Sequence, residues 1–168
     1  MAPWAKPLDV DRLADGAAAV DFAIPLGELS GLRSARAPVV GNVGGRVHFA
    51  REQGLAVAEL ELTGMATLEC QRCMKPMQRS LDVRSRIALI ASEADAARVP
   101  PDLEPVLAEG GRISIGELVT EELLLTLPIV PLHDSSDACA AAADAARKEP
   151  PGGETHRPFA RLAELLKR

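Results

Sequence analysis

The amino-acid sequence predicts an α+β fold: a curved antiparallel β-meander covered on one side by helices, followed by a flexible linker and a C-terminal amphipathic helix. Apolar and polar residues alternate through residues 46–51, 55–62, 65–69 and 81–89, the period of two that marks strands with one buried face. Turn formers separate these runs, notably Glu52-Gln53-Gly54. Downstream, Ser114-Ile115-Gly116-Glu117 matches a capping box, and Leu118, Val119, Glu122, Leu123 and Leu125 continue it as a helix over the sheet's apolar side.

Length and composition narrow the class further. The 168 residues suit one domain with a modest appendage. Apolar residues make up 47% and aromatic residues only 2%, with Trp4, Phe22, Phe49 and Phe159 the full set, so the core must be aliphatic and alanine-rich. Acidic residues outnumber basic ones 24 to 19, for a formal net charge of −5, which argues against a general nucleic-acid binder driven by bulk positive charge. Three cysteines, no charged-then-apolar leader and no run long enough to span a bilayer fit a soluble cytoplasmic protein with reduced thiols.

Taken in order, residues 9–14 read as a short helix with Asp9 as N-cap and Gly16 as its stop. Residues 19–26 read as a strand with Val20, Phe22 and Ile24 on one side, ended at Pro25. Residues 27–45 read as a connector, because they hold the turn formers Gly41, Asn42, Gly44 and Gly45. In the next strand His48 alternates with Val47 and Phe49, as a surface residue does. The central strand places Ala56, Ala58, Leu60 and Leu62 inward; Gly64 permits a bulge or bend before Ala66, Leu68 and Cys70 resume that face. Between Glu93 and Glu122 eight acidic residues stand against Arg98 and Arg112, the composition of a solvated surface. Residues 103–107 read as an edge strand because Pro105 cannot donate into a ladder on both sides. Pro128 and Pro131 then hold residues 127–132 extended. On these signals residues 1–133 form a single α+β domain, 134–157 an Ala/Pro/Gly-rich flexible linker, and 158–168 an amphipathic helix with Phe159, Leu162 and Leu166 along one stripe.

The chemistry-bearing stretch is Cys70-Gln71-Arg72-Cys73, on a turn between strands. A redox C-x-x-C lowers its thiol pKa mainly at a helix N-terminus, whereas Met74-Lys75-Pro76 here leads into a strand. Zinc takes four ligands at tetrahedral geometry, and such a turn supplies two; Cys139 is the remaining thiol, and His133 is the best-placed fourth ligand. Two reduced, partly buried thiols closing a hairpin fit the same pattern. Arg72, Lys75, Arg79, Arg84 and Arg86 cluster on the hairpin, while Arg33, Arg36, Arg46 and Arg51 lie on neighbouring segments, which suggests a basic wet face able to meet phosphates. No Ser-His-Asp order, paired acid with ligands or nucleotide loop stands out, so no enzyme is expected.

Three pieces in order, Leu68-Glu69-Cys70-Gln71-Arg72-Cys73, the run from Thr120 through Leu127-Pro128-Ile129-Val130-Pro131-Leu132-His133, and Arg157-Pro158-Phe159 with its leucines, resemble the YceD family of large ribosomal RNA subunit accumulation proteins. The resemblance implies a cytoplasmic ribosome-biogenesis factor that supports the synthesis, processing or stability of large-subunit (23S) rRNA, without catalytic activity. It implies Cys70, Arg72 and Cys73 as motif residues, and a large-subunit rRNA precursor or a ribosomal protein as partner. Phe159, Leu162 and Leu166 are a candidate docking stripe. A zinc-binding or thiol-redox protein, and a protein-interaction module unrelated to RNA, are the alternatives.

Overall fold

The computed structural model describes residues 2–35, 39–135 and 138–140. Seven strands and three helices organise them: β1 (Leu8–Asp9), α1 (Val10–Asp15), β2 (Ala19–Pro25), α2 (Ser30–Ala35), β3 (Val40–Glu52), β4 (Leu55–Glu69), β5 (Pro76–Ile90), β6 (Glu104–Leu107), β7 (Arg112–Ile113) and α3 (Ile115–Thr126). The main sheet has the order β2-β3-β4-β5-β6, and β1 pairs with β7 as a separate two-stranded ladder. From β2 to β5 every pairing is antiparallel, as the alternating runs predict, whereas β6 joins the far edge in parallel over Ile87–Ile90.

The local signals act where the sequence places them. The Asp9 side chain accepts from the Arg12 N–H and Gly16 closes α1. At α3 the Ser114 hydroxyl accepts from Glu117 N–H while the Glu117 carboxylate accepts from Ser114 N–H, a complete capping box. Gln53 and Gly54 both take positive φ, 49° and 86°, between the paired Glu52 and Leu55, the backbone of a two-residue hairpin turn that matches strand twist.

One face of the sheet carries the core. Val43, Val47 and Phe49 of β3, Ala58, Leu60 and Leu62 of β4, and Leu81, Val83 and Ile87 of β5 are buried in one cluster with Leu118, Val119 and Leu123 of α3. Val57, Ala88 and Leu103 form a smaller cluster. Among the described residues, no helix is long and apolar enough to cross a membrane.

The glycines behave differently from their sequence reading. Residues 27–45 are not a connector throughout: they include α2, and β3 begins at Val40, so Gly41, Gly44 and Gly45 are strand residues. Gly64 makes no bulge, because the register runs unbroken through Val43↔Gly64 and Gly64↔Leu81. A Cβ at Gly45 would collide with the Glu61 carbonyl and one at Gly64 with the Asn42 carbonyl. These positions are glycine because the β3 and β4 backbones approach there too closely for a side chain. The β1–β7 ladder escapes sequence reading because two residues carry no periodicity. β5 also starts five residues earlier than the alternation suggests, at Pro76, where the polar run through Ser80 hides the pattern.

A candidate metal centre on the β4–β5 turn

The turn joining β4 to β5 is closed by two backbone hydrogen bonds. Cys70 N–H donates to the Lys75 carbonyl at 2.9 Å, and Met74 N–H donates to the Cys70 carbonyl at 2.8 Å. Met74 adopts a left-handed φ of 56°, which reverses the chain directly after Cys73. The extended segment after α3 lies against this turn, because Gln71 N–H donates to the Pro131 carbonyl at 2.8 Å. That contact delivers His133. The Ser135 hydroxyl then accepts from Ala138 N–H, starting a helical turn that brings Cys139 back toward Cys70.

Four ligand atoms converge as a result. The Cys70, Cys73 and Cys139 sulfurs and a His133 ring nitrogen all lie within 4.8 Å of one another. Cys70 Sγ and Cys139 Sγ are 3.8 Å apart, and His133 Nδ1 lies 3.4 Å from Cys73 Sγ and 3.5 Å from Cys139 Sγ. A tetrahedron with metal–sulfur bonds of about 2.3 Å and metal–nitrogen bonds of about 2.05 Å has sulfur–sulfur edges of about 3.8 Å and sulfur–nitrogen edges of about 3.6 Å. The observed spacings therefore fit a four-coordinate ion at the centre of the group. Cys70 and Cys139 are buried, and Cys73 and His133 are half-buried. Three sulfurs and one imidazole leave no open coordination position, which is the form of a structural site rather than a catalytic one.

The electrostatics lean the same way. Burial pushes the Cys70 thiol up, but the backbone N–H groups of Cys73, Arg72 and His133, with the His133 ring, outweigh it and hold the thiol down at about 5. Cys139 is pushed up by burial first, then by its bonds and repulsion with the other two sulfurs. Arg72 Nη1 approaches Cys139 Sγ at 3.9 Å. The lowered Cys70 thiol beside the raised Cys139 thiol, both buried, is a pair that a cation relaxes. Cys70 itself is 0% exposed, so its thiolate has no approach for a disulfide in solution.

The Cys70 shift has a measurable sign in metal-free protein. Its folded pKa lies below the ordinary thiol value of 9.0, so its stabilisation is complete above the unfolded thiol pKa and is lost as pH falls through about 5. The thiolate ultraviolet absorbance of metal-free protein should show a step near pH 5 that Cys70→Ser removes. A step that survives the substitution assigns the low pKa elsewhere.

The basic residues fall into two groups. On the face opposite the core, Asp21, Arg46, Glu61 and Arg84 form a row across β2 to β5 through the paired positions Asp21↔Arg46, Arg46↔Glu61 and Glu61↔Arg84. Arg46 Nε meets Asp21 at 2.6 Å and Arg84 Nε meets Glu61 at 3.8 Å. Arg86 bonds Glu52 and Asp102 at 2.8 Å and Glu59 at 3.3 Å, and Arg51 meets Asp11 and Asp15. These charges are matched within the fold. Arg72 and Lys75 on the cysteine turn and Arg79 on the adjoining part of β5, by contrast, form no salt bridge among the described residues. Arg79 pairs with the buried Ala66, so it shares the core-facing side of β5 and not the face of Arg84 and Arg86. Arg33 is exposed on α2. Arg36, most of the 134–157 segment and the whole 158–168 stripe lie outside the described residues.

Glu122, counted above among the solvated acidic residues, is only 8% exposed; its place beside Leu118 and Leu123 on the helix was the available signal.

Comparison with known proteins agrees with the motifs. A family model described as large ribosomal RNA subunit accumulation protein YceD matches residues 58–166. A protein of Haemophilus influenzae (strain ATCC 51907 / DSM 11121 / KW20 / Rd) named large ribosomal RNA subunit accumulation protein YceD is 30% identical over 141 residues, covering 82% of this chain and 80% of that protein. No solved structure matches the chain significantly. The matched region contains most of β4, the cysteine turn, β5, α3 and all four candidate ligands, and on this basis the chain belongs to the YceD family.

Proposed function

We propose that the protein supports the accumulation of large-subunit rRNA as a non-enzymatic cytoplasmic factor, and that Arg72, Lys75 and Arg79 contact phosphates of the precursor RNA. Membership of the YceD family carries this reading. Zinc held by Cys70, Cys73, Cys139 and His133 is the second part of the proposal, because zinc suits a closed site of three sulfurs and one nitrogen. The ion would fix the turn, and with it the two basic residues that the turn carries. The narrowing to Arg72, Lys75 and Arg79 follows from the matched charges of Arg84 and Arg86. With four aromatic residues in the chain, base stacking has little to work with, so recognition would rest on phosphates and shape.

Three phosphate contacts set a salt dependence. Binding to single-stranded segments of large-subunit rRNA should weaken with a log–log slope of about −2, since each contact contributes about 0.7. Replacing Arg72, Lys75 and Arg79 with alanine should remove most of that slope while leaving the thermal transition in place. Filter binding across a salt series measures both. An unchanged slope in the triple variant refutes direct phosphate contact by these residues and favours a ribosomal protein as the partner.

A further inference from the structure

We propose that the open edge of β5 is a docking site for an extended, lysine- or arginine-rich segment of a partner protein, which adds to the sheet as a strand and sets a cation against Glu122. The proposal stands on the sheet edge and its acidic end, not on the cysteine centre or on Arg72 and Lys75.

β4 pairs with β5 from Glu69↔Pro76 to Ala56↔Leu89, but on the other side β6 reaches only Ile87–Ile90. Among the described residues, 76–86 therefore have no strand partner on that side. An open edge presents backbone N–H and C=O groups that template another strand. β6 occupies the continuation of this edge, so the backbone there is already shaped for pairing.

Where β6 begins, a cavity of about 520 Å³ adjoins the edge and is walled by five carboxylates with Arg84 and Arg86. Both arginines are matched, to Glu61 and to Glu59 and Asp102. Glu104 and Glu122 are left without a cation or hydrogen-bond donor among the described residues. Glu122 is only 8% exposed, and the part of it that reaches solvent lines this cavity. The Ser85 hydroxyl in the same wall is likewise buried with no hydrogen-bond partner. Two carboxylates without a cation, beside one orphaned hydroxyl at the end of an open edge, fit an incoming cationic side chain, and the edge itself selects an extended polypeptide. Nucleic acid is disfavoured because its phosphates would meet Glu104 and Glu122.

The test uses the full chain and a short peptide of alternating lysine and valine. One control peptide alternates lysine with proline, keeping the charge but losing half of the N–H donors; a second alternates glutamate with valine. The lysine–valine peptide should bind and slow hydrogen exchange at amides within residues 77–86. Glu122→Gln should weaken it by about tenfold, the consequence of removing one partner of a partly desolvated charge pair. Glu104→Gln, on an exposed strand position, should weaken it by a few fold and carries the test if the Glu122 variant does not fold. Equal binding of the lysine–proline or glutamate–valine peptide, or affinity unchanged in the glutamine variants, overturns the proposal.

Discussion

Stripping zinc from the Cys70–Cys73–His133–Cys139 group should lower the melting temperature by about 12–20 °C. A ligand that binds only the folded state at about a thousand times its dissociation constant contributes about 4 kcal/mol. For a domain of this size each kcal/mol is about 3–5 °C. The expected contribution is large because an ion held by this group would tie together segments far apart in the chain, the 70–75 turn and residues 133–139. Thermal melts with and without a strong chelator, followed by readdition of zinc, measure it. A melting temperature that ignores the chelator, in protein whose three thiols titrate freely, means that the group is an apo thiol cluster.

Phe49→Ala should be the most damaging single core substitution, at about 3–5 kcal/mol. Phe49 is 0% exposed and faces the cluster formed by the sheet and α3. The surrounding side chains are aliphatic, each confined by sheet or helix geometry, so the cavity left by the ring cannot close by one neighbour swinging in. Denaturant unfolding of Phe49→Ala beside His48→Ala, an exposed position on the same strand, separates packing from strand propensity. Equal losses at the two positions would contradict the packing assigned to Phe49.

Much of this architecture is legible in the sequence because its signals are local. The Ser114–Glu117 capping box, the Asp9 cap and the alternation of β4 each act within a few residues. The four ligands could also be named from residue type, although only the fold, through the Gln71–Pro131 contact, brings them together. What stayed hidden depends on neighbours distant in sequence. Gly45 looks like a turn former and Gly64 like a bulge until β3 and β4 are placed side by side. Arg84 and Arg86 look like free charge until Glu61 and Glu59 appear opposite them. The position of Arg79 was readable, since it shares parity with Leu81 and Val83, but grouping the hairpin arginines by charge overrode that signal.

The most direct measurement is the ratio of large- to small-subunit rRNA in cells that lack the native copy and carry either wild-type protein or the variant with Arg72, Lys75 and Arg79 replaced by alanine. The expected result is a folded, zinc-loaded variant, present at wild-type level, that leaves large-subunit rRNA low while small-subunit rRNA holds. Full restoration of large-subunit rRNA by that variant, or an equal fall in both RNAs, would contradict the assignment of this surface.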